Sequence, residues 1–219
     1  MRTRFQQGLD ELKQKLLAMS GMAEQAVDRA TQAYQERELK LCQLVLEGEQ
    51  AINMMEREID ELALDLLAMQ QPMAVDLRFV TAAMKINADL ERVGDQAVNI
   101  AERVINTVSL PEAELPIDLP RMAGAVSGMV RRSLQSLIAA DAEMAQAVLQ
   151  MDDVVDRMNR EMFHTLVKAM HDRPEVVQQA LDALLIARNL ERVADHATNI
   201  AEDVIFWVRG ADVRHHAAT

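Results

Sequence analysis

The chain is poor in aromatic side chains: Phe5, Tyr34, Phe79, Phe163, Phe206 and Trp207 are the complete set in 219 residues. Glycine (7) and proline (5) are also scarce. An all-β sandwich or barrel needs many turn residues and aromatic or β-branched strands, so both are excluded. The one cysteine, Cys42, makes neither an intramolecular disulfide nor a thiolate metal site. Leu41, Leu44 and Val45 around it predict a buried thiol acting as a small hydrophobe. Positive charge is short as well, with 23 Lys and Arg against 35 Asp and Glu and a net charge of −12. Non-specific nucleic-acid binding needs a basic face, an acidic chain works against it, and nucleic acid is not an expected partner. No uncharged run exceeds Leu66–Val75, far below the roughly twenty apolar residues of a membrane span. The N-terminal MRTRFQQGLDELKQK lacks the apolar stretch of a signal peptide. A cytoplasmic protein, peripheral to a membrane at most, is expected.

Half of the residues are apolar, enough to build cores and to argue against disorder. Their spacing is helical. Phe5, Leu9, Leu12, Leu16, Met19, Ala23, Ala26, Ala30 and Ala33 follow a 4-3 alternation, the seam of a long helix on near-parallel neighbours. A second seam runs through Leu41, Val45, Gly48, Ile52, Met55, Ile59, Leu62, Leu66 and Met69. A third follows Pro72 through Ile86, Leu90, Val93, Ala97, Ile100 and Val104. Helices of about 30 residues, roughly 45 Å long, are predicted, three of them forming an up-down-up bundle. The segment NTVSLPEAELPIDLP then interrupts the pattern with Pro111, Pro116 and Pro120. Helices near 118–140, 143–171 and 174–209 follow, the last opened by Pro174.

The restart is a repeat. LERVGDQAVNIAERVINTV at 90–108 aligns without a gap with LERVADHATNIAEDVIFWV at 190–208, thirteen of nineteen positions being identical. A weaker echo links Glu49-x-x-Ile52-Asn53 to Asp152-x-x-Val155-Asp156. The expected fold is therefore all-α, two tandem three-helix bundles: 1–108, a proline-rich linker at 109–119, 120–210, and a disordered tail at 211–219. The adjacent His215 and His216 belong to that tail and are read as disordered rather than metal-binding. Two copies of so long a period do not make a solenoid.

On a helical wheel with Glu91 at 0°, Asp95 falls at about 40°, Asn99 at about 80° and Glu102 at about 20°, beside an apolar seam at roughly 180–320°. Three carboxylates and an amide share one column, and like charges at i,i+4 repel. Only Arg92 approaches, from the edge. The second copy repeats the column with Glu191, Asp195, Asn199 and Glu202. Glu49, Asn53, Glu56 and Asp60 form a similar column on the preceding helix, matched by Asp152, Asp156 and Asn159. Facing columns of oxygen donors suit hard cations, iron, manganese or magnesium rather than a structural zinc. The alternative is an ordinary solvated acidic face, and the wheel alone leaves both open.

Other motifs carry less. Glu161-Met162-Phe163-His164 has the Glu-x-x-His spacing of di-iron carboxylate sites, but the first copy reads Glu58-Ile59-Asp60-Glu61, so the second such motif is missing. A carboxylate-bridged metalloenzyme is thereby disfavoured. His196 points about 100° away from the Asp195 column and is not expected to be a ligand. The fifteen methionines are read as core filler, and Gly94 with Ala194 as sites of close helix approach. There is no Walker loop, nucleophile elbow or dinucleotide fingerprint.

MQQPMAVDLRFVTAAMKINADLERVGDQAVNIAERV resembles the first-repeat signature of the PhoU family, and ARNLERVADHATNIAEDVIFWVRG resembles the second. The resemblance spans essentially the whole chain. It implies a cytoplasmic, all-helical, often dimeric regulator that is not an enzyme. It further implies a link between the ATP-binding subunit of a phosphate ABC transporter and a membrane sensor histidine kinase, restraining uptake when phosphate is plentiful. An accessory protein of a different phosphate permease, built from the same module, is the alternative within this resemblance. The family's E/D-x-x-x-D motifs hold multinuclear iron or zinc in some members. Carried over, these are Glu91 with Asp95, Glu191 with Asp195, Glu49 with Asn53 and Asp152 with Asp156; Asn99, Glu102, Asn199 and Glu202 extend them. Asn53 stands where the motif has an acid, so the second copy is expected to hold cations more firmly.

Overall fold

The computed structural model describes residues 4–70, 72, 74–211 and 213. Within them the chain forms six helices and no strand: α1 (Arg4–Glu36), α2 (Leu39–Gln70), α3 (Ala74–Val108), α4 (Leu119–Ala139), α5 (Ala142–Asp172) and α6 (Val177–Arg209). The fold is the expected pair of three-helix bundles. Local chemistry sets the ends. Asp118 caps α4 by accepting from the Arg121 amide at 3.0 Å, with Pro120 in the first turn, so the helix begins at Leu119. Asp141 caps α5, accepting from the Glu143 and Met144 amides at 2.9 and 3.0 Å. Pro174 opens a single 3₁₀ turn, Pro174–Val176, and α6 proper starts three residues later. Gly210, at φ +70°, closes α6 in the left-handed conformation that favours glycine.

The seams face inward. Leu12, Leu16, Met19, Ala23, Ala30 and Ala33 of α1 are fully buried, as are Ile86, Leu90, Val93, Ala97, Ile100 and Val104 of α3. Along α2 only part of the predicted seam closes: Val45, Ile52, Ile59 and Leu66 are buried, whereas Leu41, Met55 and Leu62 are partly covered. The reason is position: α2 packs on α1 and α3 alone, and α5 likewise packs only on α4, α6 and the 3₁₀ turn. Met19, Met122 and Met129 fill the core, while Met54 is exposed. Cys42 is buried, and burial pushes its thiol pKa up. The Met69 side chain and the whole of His215 and His216 lie outside the described residues.

The two bundles meet through α3 and α6, which form the most extensive interhelical contact, and more lightly through α1 and α4. The α3–α6 crossing is antiparallel: Arg78 donates to the Trp207 carbonyl at 3.2 Å, and Lys85 pairs with Asp203 at 3.1 Å. The α1–α4 contact is polar at its rim, with Arg131 Nε donating to Glu24 at 2.7 Å and Ser127 to Asp28 at 2.7 Å. No described helix is long and apolar enough to cross a membrane.

Candidate metal-binding columns

Each bundle sets two acidic columns side by side, one on its second helix and one on its third. The close approach that brings them together is visible at Gly94. A Cβ there would lie 2.9 Å from Ile52 Cδ1, so the missing side chain lets α2 and α3 draw in beside Glu91 and Asp95. The equivalent positions in the second bundle are Ala194 and Val155: one residue grows where the other shrinks.

In the first bundle Glu49, Asn53, Glu56 and Asp60 on α2 and Glu91, Asp95 and Asn99 on α3 are all half-buried; Glu102 is exposed. The Glu91 carboxyl is held above its ordinary range, first by burial and then by Asp95, Glu56 and Glu49, with Arg92 opposing them. Two of the three carboxylates acting on it belong to α2, so the columns share one field across the groove.

The second bundle is under greater strain of charge. Burial, followed by Asp156, Asp195, Asp153 and Glu191, pushes Asp152 up to about 6. Its Oδ1 is buried without a hydrogen-bond partner among the described residues. Glu191 is raised by burial, Asp195 and Asp156, while a hydrogen bond from Asn159 and the charge of Arg188 pull the other way. Asp195 is raised by burial and Asp156, against His196 and Arg192. Arg160, at 3.4 Å, partly pairs Asp156 from the next turn.

The chemistry of this donor set fits a hard cation: carboxylate oxygens in excess, one of them orphaned, with Arg160 pairing only Asp156. The side chains are not, however, folded onto a common point. Among the described residues no three His, Cys, Asp or Glu side chains stand close enough to hold one ion as they are. Loading would therefore draw in at least one rotamer.

Not every predicted ligand stays with its column. Asn199 turns toward the other bundle and donates to Asp89 Oδ1 at 3.2 Å. Asp60 accepts from the buried Asn87 amide at 2.9 Å, which also donates to the Glu56 carbonyl at 2.9 Å. That link ties α3 to α2 at the end of the first column. Glu102 and Glu202 lie one turn and more beyond the Glu91–Asp95 and Glu191–Asp195 pairs, Glu102 exposed and Glu202 half-buried.

His196 is set apart from the column, as its wheel angle implied. Its Nδ1 lies 2.8 Å from Asp89 Oδ1, and both residues are buried between α3 and α6. The repeat maps this pair onto Asn189 and Gln96, the latter buried with its Oε1 unpartnered among the described residues. The periodicity gave no sign of this contact. The available signal was the break in the repeat itself, where Asp89 stands against Asn189 and His196 against Gln96.

A cavity of about 350 Å³ lies elsewhere, lined by Tyr34, Arg37, Thr107, Glu112, Leu115 and Gln179. Arg37 is occupied there in closing α3, donating to the carbonyls of Thr107, Val108 and Leu110 at 3.3, 3.2 and 2.9 Å. None of the candidate ligands lines it.

Comparison with known proteins agrees with this architecture. The PhoU domain family model matches twice, over residues 16–104 and 119–204. A phosphate-specific transport system accessory protein PhoU homologue of Pseudomonas putida is 40% identical over 96% of this chain and 83% of its own length. The corresponding Pseudomonas aeruginosa protein is 38% identical over 98% and 89%. The crystal structure of PhoU from Pseudomonas aeruginosa superposes with a TM-score of 0.91 at 37% identity, covering 95% of this chain and 100% of that one. The phosphate transport system regulatory protein PhoU of Streptococcus pneumoniae gives 0.88 at 28% identity, over 96% and 99%.

Proposed function

This chain belongs to the PhoU family, and from that membership we propose that it is an accessory, regulatory protein of a phosphate-specific transport system. In this reading it works in the cytoplasm as a homodimer. It contacts the ATP-binding subunit of the phosphate transporter and a membrane sensor histidine kinase, and it restrains uptake and the starvation response while phosphate is plentiful. The observation that carries the reading is the full-length relation to proteins named as accessory to phosphate-specific transport.

The acidic columns supply the proposed mechanism. Asp152, Asp156, Glu191 and Asp195 would hold cations in the second bundle, and Glu49, Asn53, Glu91 and Asp95 in the first. Iron, zinc, manganese or magnesium would supply positive charge to carboxylates that repel one another when ionised. The side chains then fix the separation of α2 from α3 and of α5 from α6, and with it the surface offered to a partner. Asn53 gives the first set one charge fewer, so the second set binds more tightly. A pull-down with the transporter ATP-binding subunit and the sensor kinase, with and without chelator, tests this. Retention of both partners that weakens after chelation is expected. Retention of neither overturns the adaptor role, and retention indifferent to chelation overturns the role of the columns.

A further inference from the structure

The α3–α6 seam is filled differently at its two ends. In the gapless register of the repeat, Thr107 stands where the other copy has Trp207, and Gln179 stands where the other copy has Phe79. The antiparallel crossing sets Phe79 against Trp207 at one end, ring centroids 4.9 Å apart and both side chains buried. The Lys13 ammonium lies over both rings, at 5.0 and 5.7 Å from their centroids. At the other end Thr107 and Gln179 are also buried, but neither has a ring. There the cavity of about 350 Å³ opens, where α1 and α3 end, the linker passes, and α4 and α6 begin. Its volume falls within the range of small-molecule sites, roughly 300–1,000 Å³. One copy closes the seam with an aromatic pair, and the other leaves that space open.

The polar groups around the cavity are only partly used. Arg37 closes α3 with Nη2 alone; among the described residues its Nε and Nη1 make no hydrogen bond, and no carboxylate pairs with it. The Tyr34 hydroxyl likewise has no hydrogen-bond partner among the described residues. Burial pushes its pKa up while the charge of Arg37 draws it down, so the guanidinium acts on the hydroxyl across the cavity wall. Gln179 ties the linker to this wall by donating to the Pro111 carbonyl at 3.1 Å. Val104, Val108 and Leu115 supply apolar lining, and the one acid among the lining residues, Glu112, is exposed. We propose that this cavity binds a ring-bearing organic anion, its ring taking the space that Phe79 and Trp207 fill at the other end and its oxyanion meeting Arg37 and Tyr34. A guanidinium edge and a phenol hydroxyl suit a carboxylate or a phosphate alike. The occupant touches both bundles and the linker, so it fixes how they meet at this end of the seam.

None of the proposed metal ligands lines the cavity, so the site stands apart from the acidic columns. Isothermal titration calorimetry of the full chain in EDTA, which keeps those columns free of metal, tests it with AMP, salicylate and inorganic phosphate. Saturable binding of AMP or of salicylate is expected, and which of them binds tells a phosphate head group from a carboxylate. Inorganic phosphate, lacking a ring, is expected to bind roughly tenfold more weakly or worse. Thr107→Trp/Gln179→Phe installs the aromatic pair of the other end and is expected to abolish binding while circular dichroism shows an unchanged helical fold. Two milder variants decide the matter should that one fail to fold. Glu112→Gln removes an exposed acid and should tighten binding roughly threefold, whereas Tyr34→Phe should weaken it roughly fivefold. Neither organic anion binding at millimolar concentration would overturn the proposal, as would binding that the aromatic pair leaves intact. Looser binding in Glu112→Gln, or unchanged binding in Tyr34→Phe, would contradict the anion and its contacts. Inorganic phosphate bound as tightly as AMP would overturn the ring-sized body.

Discussion

His196 Nδ1 sits 2.8 Å from Asp89 Oδ1 across the seam between the two bundles, and Asn199 donates to the same oxygen at 3.2 Å. All the helices that touch both bundles converge on this seam or on the lighter α1–α4 contact. Such a buried polar node at the α3–α6 seam is predicted to fix how the bundles meet, because an apolar seam alone tolerates sliding.

Removing the acceptor tests that role. Asp89→Leu leaves two donors facing a buried apolar side chain, and a loss of about 1–3 kcal/mol is predicted in urea unfolding. The double change Asp89→Asn/His196→Gln installs the residues that the repeat carries at the equivalent pair, Asn189 and Gln96. With the single changes Asp89→Asn and His196→Gln it closes a double-mutant cycle, in which it is expected to lose less than the two singles together. Equal losses that simply add would show that the two side chains do not act together.

Gly94 and Ile52 make a second pair, set by size rather than charge. Ala at position 94 gains about 1 kcal/mol of helix propensity but meets Ile52 Cδ1 at 2.9 Å. Gly94→Ala alone is predicted to leave the thermal midpoint nearly unchanged, the two effects offsetting. Gly94→Ala/Ile52→Val reproduces the Ala194 and Val155 combination of the second bundle and is predicted to be the more stable of the two variants. A double variant less stable than the single one would mean that Ile52 is not what opposes the alanine.

The raised carboxylates fix the sign of a pH effect in metal-free protein. Asp152 is pushed up to about 6 from an ordinary value of 3.8, so the folded state binds its proton more tightly than the unfolded chain does. Between about pH 4 and 6 stability therefore falls as pH rises, and above about 6 it levels off. Glu91, Glu191 and Asp195 are raised too and act in the same direction. Because Asp152 keeps access to solvent, about 1 kcal/mol is expected of it once screening is allowed for. Asp152→Asn should flatten the fall and raise the neutral-pH midpoint of chelated protein. An unfolding free energy that climbs from pH 4 to 6 would contradict the crowding of these acids.

Much of this architecture was legible in the residues. The 4-3 spacing of Ile86, Leu90, Val93, Ala97, Ile100 and Val104 marked a face that the structure buries completely. The recurrence of LERV-x-D-x-A-x-NIAE marked two equivalent bundles. Periodicity tells which face of a helix is covered, but not what covers it. Asp89, Asn87 and Lys85 gave no sign that they would meet His196, Asp60 and Asp203, since each contact depends on how two helices cross. The columns divide in the same way. A wheel places Asn199 beside Asp195, but the neighbouring bundle offers Asp89, and the amide turns to it. Asp60 likewise shares the α2 column in sequence but spends an oxygen on Asn87.

The most direct test of the acidic columns is the thermal midpoint of chelated protein titrated with manganese or iron(II), compared with Asp152→Asn/Asp195→Asn. Cations that relieve the repulsion among Asp152, Asp156, Glu191 and Asp195 stabilise the folded chain by mass action. A midpoint that rises with cation in the wild type and barely moves in the variant is the predicted result. A wild-type midpoint that stays flat to millimolar cation, or a variant that rises as far as the wild type, would contradict the account and leave the columns as solvated acidic faces.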